Sequence, residues 1–329
     1  MHDKSSLISE VKLEGNISTK ATVILIGYPS TENLRLILFT LLVVIYCGTI
    51  CGNLLIITLV STSKNLHTPM YFFISQLSIT DILLSTDIVP NTLHLLQSEV
   101  RLMAFTCCIA QYVGFSFALC LECVLLTVMS FDRFSAICNP LHYTSIMNFG
   151  VCKSLSALSW SLSLLLISIE MITICNLRFC GPYVINHFFC DLYPLLQFSC
   201  SDTSTVQLEI TTLIVLLVVI PFLLIVTSYA CIISSILKIQ SLQSLTQRHK
   251  VFSTCSSHLT VVCIFYGTIS GIYILPSKGN ALKISRVLSL FYTVGNPIIN
   301  PIVYSLRNKE FSKAVKKKIQ TSSIDDGQL

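Results

Sequence analysis

Seven long apolar segments, separated by short polar connections, dominate the pattern of hydrophobic and polar positions along the chain. Each is close to or longer than the ~20 residues that an α-helix needs to cross the hydrocarbon core of a bilayer. The pattern therefore predicts an all-α membrane protein, a bundle of seven transmembrane helices. We place the segments at about 36–60, 69–89, 107–137, 155–174, 211–237, 255–275 and 284–304.

The composition agrees with this pattern. Only 11% of the 329 residues are charged and 53% are hydrophobic, whereas a soluble domain carries about 25% charged residues. Too few charges are present to cover a water-soluble surface of this size. The net charge is only +5, and the chain lacks an arginine-rich or aromatic-interleaved basic face. We therefore expect no nucleic-acid partner.

The segments divide the chain into an N-terminal tail at 1–34, a helix bundle at 35–306 and a C-terminal region at 307–329. No apolar core with a cleavage site precedes the first segment, so we expect that segment to direct insertion. Lys and Arg are more numerous on the side of the C-terminus, which places the N-terminus outside the plasma membrane. Asn16, in the tripeptide Asn-Ile-Ser, is then an accessible N-glycosylation site.

The C-terminal stretch KEFSKAVKKKIQ has apolar residues at helical spacing with lysines between them. Two interpretations remain open, a solvated basic tail and an amphipathic helix on the inner leaflet. We favour the helix, which would contact anionic membrane lipid.

The third segment ends in MSFDRFSAICNPLHY at 129–143, with Asp132 and Arg133 where the helix would leave the hydrocarbon. Such a pair alone is compatible with a simple interfacial anchor, because Arg snorkels to the headgroups. The whole stretch, however, closely resembles MAYDRYVAICxPLxY at the cytoplasmic end of the third helix in odorant receptors, a rhodopsin-like branch of the G protein-coupled receptors. Its departures include Ser130, Phe131 and Phe134, which replace Ala and two Tyr.

Three further stretches resemble the same family in the same order. They are LHTPMY at 66–71, KVFSTCSSHL at 250–259 and PIINPIVYSLRN at 297–308. Their order and spacing are far more specific than any one of them. The resemblance implies an odorant receptor of sensory cilia that is not an enzyme. It would bind a small-molecule odorant and activate a stimulatory, olfactory-type heterotrimeric G protein, which raises cyclic AMP.

The resemblance also assigns switching roles. In the family, the Asp of the charged pair holds the Arg at rest, and the Arg turns towards the G protein on activation. The last stretch places a proline inside a helix, which frees a carbonyl and permits a kink. Gly295-Asn296 replaces a bulkier pair before this kink and adds flexibility. The implied residues are Asp132, Arg133, Phe134, Tyr229, Asn300, Pro301 and Tyr304.

Asp81 and Glu122 are acids deep in apolar segments. An unpaired carboxylate there is costly unless it is protonated or meets a cation. The resemblance implies an ion and water site that these acids form with Asn53 and Asn300. We favour a Na⁺ or proton-linked regulatory network over two simply protonated acids, and we expect no other cofactor or metal.

Five cysteines lie in or beside the predicted outer loops, at 107, 108, 180, 190 and 200. Thiols in an oxidising lumen form disulfides, and the absence of a CxxC pair argues against a metal site. The resemblance implies the pairs Cys108–Cys190 and Cys180–Cys200. An exchange of Cys107 for Cys108 stays open on the sequence.

The natural ligand cavity of such a bundle is its outer half. Helical spacing gives one candidate face on the third segment and one on the sixth, although core packing would give the same stripes. These faces carry no fixed charge, which predicts a small, volatile, mostly apolar ligand. Glu170 and Asp87 would favour a basic ligand if they face inward. The candidate residues are Phe115, Ser116, Leu119, Cys120, Tyr266, Ile269, Ser270 and Tyr273.

Two other classes of membrane protein remain as alternatives. A transporter would show inverted repeats with paired interrupted helices, and the chain has no such internal symmetry. An intramembrane hydrolase would need a convergent Ser-His or Asp-Asp set, and the ion-site interpretation accounts for the deep acids. Both alternatives predict flux or turnover without a G protein.

Overall fold

A computed structural model describes residues 22–27, 31–98, 100–180, 183–238, 244–274, 280–307, 311 and 313–315. Seven long helices dominate these residues, and each contains a stretch long and apolar enough to cross a membrane. The predicted seven-helix bundle is thereby confirmed. The helices are α1 (Glu32–Thr62), α2 (Pro69–Ser98), α3 (Phe105–Cys138), α4 (Phe149–Cys175), α5 (Ser204–Ile214, Val215–Val219 and Ile220–Lys238), α6 (Ser244–Ile274) and α7 (Asn280–Leu290, Phe291–Gly295 and Asn296–Arg307).

Most helices extend beyond the apolar segments that predicted them. The largest differences are at the start of α6, which lies at Ser244 rather than about 255, and at the end of α2, which lies at Ser98 rather than about 89. Hydropathy marks only the part of a helix that crosses hydrocarbon, whereas backbone hydrogen bonding continues into the polar turns on either side. The predicted apolar segments are therefore shorter than the helices that contain them.

A small sheet covers one end of the bundle. Its strands are β1 (Thr22–Ile26), β2 (Val100–Ala104) and β3 (Tyr183–Ile185); β1 lies in the middle, antiparallel to β2 and parallel to β3. Val23 and Leu25 of β1 are fully buried in an apolar cluster that also contains both cysteines of the Cys108–Cys190 disulfide. Residues 22–26 of the predicted polar tail therefore form a strand that covers this end of the bundle. We call this end of the bundle the disulfide end.

The opposite end carries Asp132 and Arg133 and is called the Arg133 end. Beyond α7, Phe311 and residues 313–315 are helical, and Phe311 is buried against the bundle core. A short C-terminal helix is therefore present. The rest of the predicted amphipathic stretch and Asn16 lie outside the described residues.

Helices α5 and α7 each contain a π-helical turn, Val215–Val219 and Phe291–Gly295. Such turns locally widen a helix and are common near functional sites. A Cβ on Gly295 would lie 2.9 Å from the ring of Phe291. A side chain at position 295 would therefore require this ring to shift, so Gly295 permits the close packing of Phe291.

Candidate functional site

A cavity of about 900 Å³ lies at the disulfide end, between α3, α4, α5, the start of α7 and the α4–α5 loop (176–203). The cavity wall on α3 contains all four residues predicted there. Its other walls combine apolar residues with polar and ionisable ones. The four α3 residues are Phe115, Ser116, Leu119 and Cys120.

The predicted face of α6 does not form a wall of this cavity. Tyr266 and Ile269 are only 3% and 1% exposed and pack in the bundle core, and Ser270 is exposed. The side chain of Tyr273 lies outside the described residues. In the structure Tyr266 packs against Phe222 of α5, and among the described side chains of α6 it is Ile272 that lines the cavity.

Phe115 forms the floor of the cavity, and its ring packs against two further aromatic rings. The ring of Phe115 lies 5.0 Å from that of Phe189 in the α4–α5 loop and 5.8 Å from that of Tyr292 in α7. Phe189 is held in place by its neighbour Cys190, which is bonded to Cys108. The N–H of Cys190 also donates to Gln111 Oε1 at 3.0 Å. The loop is therefore fixed to α3 directly above Phe115.

The second disulfide of the loop joins Cys180 and Cys200. The backbone N–H of Cys180 donates to the carbonyl of Phe198, and that of Cys200 donates to the carbonyl of Arg178. The disulfide and these two backbone hydrogen bonds join the two ends of the loop segment 178–200. Cys107 carries a free, exposed thiol, so the structure pairs Cys108 rather than its neighbour.

Ionisable residues also line the cavity, which the faces of the third and sixth segments did not predict. They are Glu170 of α4, Asp191 and His187 of the loop, and Arg286 of α7. Of the two acids that the sequence proposed for a basic ligand, Glu170 faces the cavity, whereas Asp87 packs against Gly114 of α3. The loop residues were missed because nothing in their local sequence shows that the loop folds inward.

Beneath the floor lies a buried polar network. Asn300 Nδ2 donates to both carboxylate oxygens of Asp81 at 3.1 and 3.0 Å, and the hydroxyl of Tyr292 donates to Glu122 Oε2 at 3.1 Å. The two acids are also near enough to interact electrostatically. Because Tyr292 contacts Phe115 above and Glu122 below, it connects the cavity to this network.

Asn53, predicted beside the acids, has a different partner. Its Nδ2 donates to the carbonyls of Thr49 and Pro297 and so joins α1 to α7. Asn53 Oδ1 and Glu122 Oε1 are buried oxygens that have no hydrogen-bond partner among the described residues. Buried acceptors in this condition fit a cation or added protons.

The charged pair at the Arg133 end is held from two sides. Arg133 Nε donates to Asp132 Oδ2 at 2.9 Å, a second guanidinium nitrogen contacts the same oxygen, and the hydroxyl of Tyr143 donates to Asp132 Oδ1 at 2.8 Å. Burial and the nearby Asp132 raise the pKa of Tyr143, which therefore stays a protonated donor. Tyr143 is the last residue of the motif at 129–143, and the resemblance assigned it no role.

Tyr229 is bonded to α6 rather than to α7. Its hydroxyl lies 2.7 Å from His258 Nδ1 and 3.3 Å from the carbonyl oxygen of Cys255. Tyr304 follows Pro301 in α7 and is buried, and its hydroxyl has no hydrogen-bond partner in the part of the chain that the structure describes. The switching roles that the resemblance implies for Tyr229 and Tyr304 stay a prediction. In the structure the partner of Tyr229 is His258, to which the resemblance assigned no role.

Phe134 is partly buried against the main core cluster. It lies beside the Asp132–Arg133 pair and packs inward, as an apolar residue next to a buried charge does. Its position is compatible with the predicted coupling region. Its phenyl ring has no hydroxyl or amide group with which to form a hydrogen bond.

Comparison with known proteins gives concordant results. A family model described as "Olfactory receptor" matches residues 42–322. Olfactory receptor 1468 of Rattus norvegicus is 42% identical over 93% of this chain and 98% of its own length. Olfactory receptor 11L1 of Homo sapiens is 41% identical over 92% of this chain and 93% of its own length. The crystal structure of squid rhodopsin has a similar fold, with a TM-score of 0.70 and 16% identity, over 90% of this chain and 88% of that chain.

Proposed function

Because the chain belongs to the olfactory receptor family, a family of multi-pass signalling receptors rather than enzymes, we propose that it binds a small, volatile, mostly apolar odorant in the cavity at the disulfide end. At the Arg133 end, the proposed receptor activates a stimulatory, olfactory-type heterotrimeric G protein and raises cyclic AMP. The observation that supports this most is the contact of Tyr292 with both the cavity floor and the buried acids.

The proposed orientation places the disulfide end outside the plasma membrane. Disulfides form in oxidising compartments, and both disulfides lie at this end. The Arg133 end then faces the cytoplasm, where G proteins are found. The amphipathic C-terminal helix would lie on the inner leaflet and contact anionic lipid.

The proposed mechanism is a shift between two populations of the bundle. A ligand can move the equilibrium only by binding the active form better than the resting form. An odorant in contact with Phe115 would alter the packing of Tyr292, and Tyr292 lies on the same helix as the kink at Pro301. The altered α7 would then favour release of Arg133 from Asp132.

The buried acids would stabilise the resting form. A Na⁺ ion or shared protons near Asp81 and Glu122 would satisfy the oxygens that lack partners and hold α2, α3 and α7 together. The residues that would hold the ion are Asp81, Glu122 and Asn300, with Asn53 Oδ1 nearby. The role is regulatory.

A cell assay tests the proposal. The chain would be expressed with the olfactory G protein, and cyclic AMP would be recorded against a broad odorant panel. Phe115→Ala is expected to raise the half-maximal odorant concentration about tenfold or more, because a buried aromatic anchor is lost. Phe149→Ala, at an exposed position of α4 away from the cavity, serves as the control. Odorant responses that are equal in wild type and Phe115→Ala would contradict the proposed pocket.

Tyr143→Phe is expected to raise basal cyclic AMP by up to about fivefold, because Asp132 loses one of the two donors that hold it and Arg133 is released more easily. The measurement is odorant-free cyclic AMP at matched surface level. Tyr183→Phe, which removes a hydroxyl hydrogen bond at the disulfide end, is the control. An unchanged basal signal would show that Tyr143 does not restrain the charged pair.

A further inference from the structure

We infer that the cavity selects organic amines, whose ammonium group lies against Glu170 and Asp191 while an apolar body fills the space between α3 and α5. This inference rests on the proposed function and names the ligand class of the same cavity. It differs from what the uncharged face of α3 alone suggests, because the acids come from α4 and the α4–α5 loop.

The acids lie close together in a place from which water is largely removed. Glu170 is only 4% exposed, and its Oε1 accepts a hydrogen bond from the hydroxyl of Tyr112 at 2.5 Å. Asp191 Oδ1 accepts from the N–H of Leu192 at 2.7 Å. Glu170 also interacts electrostatically with both Asp191 and Glu209. Three carboxylates that repel one another in a low dielectric are stabilised by a cation.

A second group of the same cavity points to a hydrogen-bonding ligand. His187 is 8% exposed, and its Nδ1 has no hydrogen-bond partner among the described residues. Burial and the nearby Arg286 lower the pKa of His187 to about 3, so the ring is neutral at physiological pH. A neutral imidazole has one nitrogen that accepts a hydrogen bond, and an ammonium ion supplies several N–H donors.

A metal ion and an anion fit the cavity less well. Within the described ranges, no group of three His, Cys, Asp or Glu side chains could hold a metal ion, whereas an ammonium group needs only hydrogen-bond acceptors for its N–H donors. Arg286 lies beside His187, at the α7 side of the cavity. An anion bound there would share the cavity with the carboxylates of Glu170 and Asp191. A protonated amine is attracted by these two carboxylates and repelled by only one guanidinium group.

The walls between the charged groups are hydrocarbon. Apolar side chains remove the hydrocarbon body of a ligand from water, and this transfer is favourable. The ligand class is therefore an alkyl or cycloalkyl amine rather than a small, strongly hydrated cation. The apolar lining residues include Phe115, Leu119, Ile167, Leu213 and Leu217.

The test uses the purified full-length receptor in nanodiscs and three probes of equal length: n-heptylamine, n-heptanol and heptanoate. Ligand-induced thermal stabilisation is recorded at neutral pH. The amine is expected to act at a concentration about tenfold or more below that of the alcohol. Glu170→Gln is expected to weaken the amine about tenfold or more and to leave the alcohol unchanged. Asp202→Asn removes an exposed carboxylate at the same end and should change neither.

Equal potency of amine and alcohol, or an unchanged amine response in Glu170→Gln, would overturn the inference. A preference for heptanoate would overturn it too and would make Arg286 the anchor. If Glu170→Gln cannot be purified in folded form, Asp191→Asn replaces it in the same comparison. Failure of amines of every chain length also overturns the inference. The proposed function would still stand if another odorant class raised cyclic AMP in wild type but not in Arg133→Ala.

Discussion

Replacing Cys190 with serine is expected to remove most of the receptor from the cell surface and to abolish odorant responses. The Cys108–Cys190 bond joins residues 82 positions apart and lies fully buried at the disulfide end. Closing a loop of that length contributes about 4 kcal/mol in the chain-entropy account, a large part of the roughly 5–15 kcal/mol by which domains are stable. Both cysteines would also lose their place in the apolar cluster.

The effect on binding has a local cause as well. Phe189 and Asp191 flank Cys190; Asp191 lines the cavity, and Phe189 packs against the lining residue Phe115. Without the bond, the aromatic contact between Phe189 and Phe115 is no longer held in position. Residual receptor at the surface should therefore respond poorly even after correction for its amount.

The adjacent thiol provides a matched control. Cys107→Ser changes a free, exposed cysteine one residue from the disulfide and should leave surface level and response close to wild type. The measurements are flow cytometry of an N-terminal epitope and thermal unfolding of purified protein. A wild-type surface level in Cys190→Ser, or an equal loss in Cys107→Ser, would contradict the pairing in the structure.

Replacing Arg133 with alanine should reduce odorant-stimulated cyclic AMP at least about tenfold while odorant binding and surface level stay unchanged. Arg133 lies at the end of the bundle opposite the cavity, and in the structure Asp132 holds it. Loss of the guanidinium removes the group proposed to contact the G protein. Asp132 keeps the donor hydroxyl of Tyr143, so the bundle is expected to fold. The expected loss corresponds to a coupling free energy in the usual range for linked sites.

Arg133→Lys separates charge from geometry. Lysine keeps the positive charge but lacks the planar fork that can contact carboxylates and carbonyls through several N–H groups. An intermediate response is therefore expected. Binding is followed by ligand-induced thermal stabilisation and signalling by cyclic AMP. Retained signalling in Arg133→Ala at normal surface level would exclude the assigned role.

The seven helices and the α3 wall of the cavity were predictable because apolar length and helical spacing are local properties of the sequence. The sheet was not predicted, since Thr22–Ile26 is only five residues long and depends on partners at 100–104 and 183–185. The orientation of α6 was also missed. In the structure Tyr266 packs against Phe222 of α5, a contact that spacing within α6 cannot reveal.

The polar contacts were the least predictable part of the site. Tyr292 donates to Glu122 across 170 positions of the chain, and Tyr112 donates to Glu170 across 58. A tyrosine in an apolar helix has the same local pattern whether its hydroxyl meets a buried acid or the headgroup region. Such residues become functional candidates only when the fold brings their partners together.

The most direct test of the central claim uses purified receptor in nanodiscs, purified olfactory-type G protein and an odorant found active in the cell panel. The guanine nucleotide exchange rate of the G protein is measured with and without that odorant. We predict an acceleration of about tenfold that is absent in Arg133→Ala. An exchange rate unaffected by an odorant that binds the cavity would contradict the account, as would odorant-dependent flux through receptor-containing vesicles without a G protein.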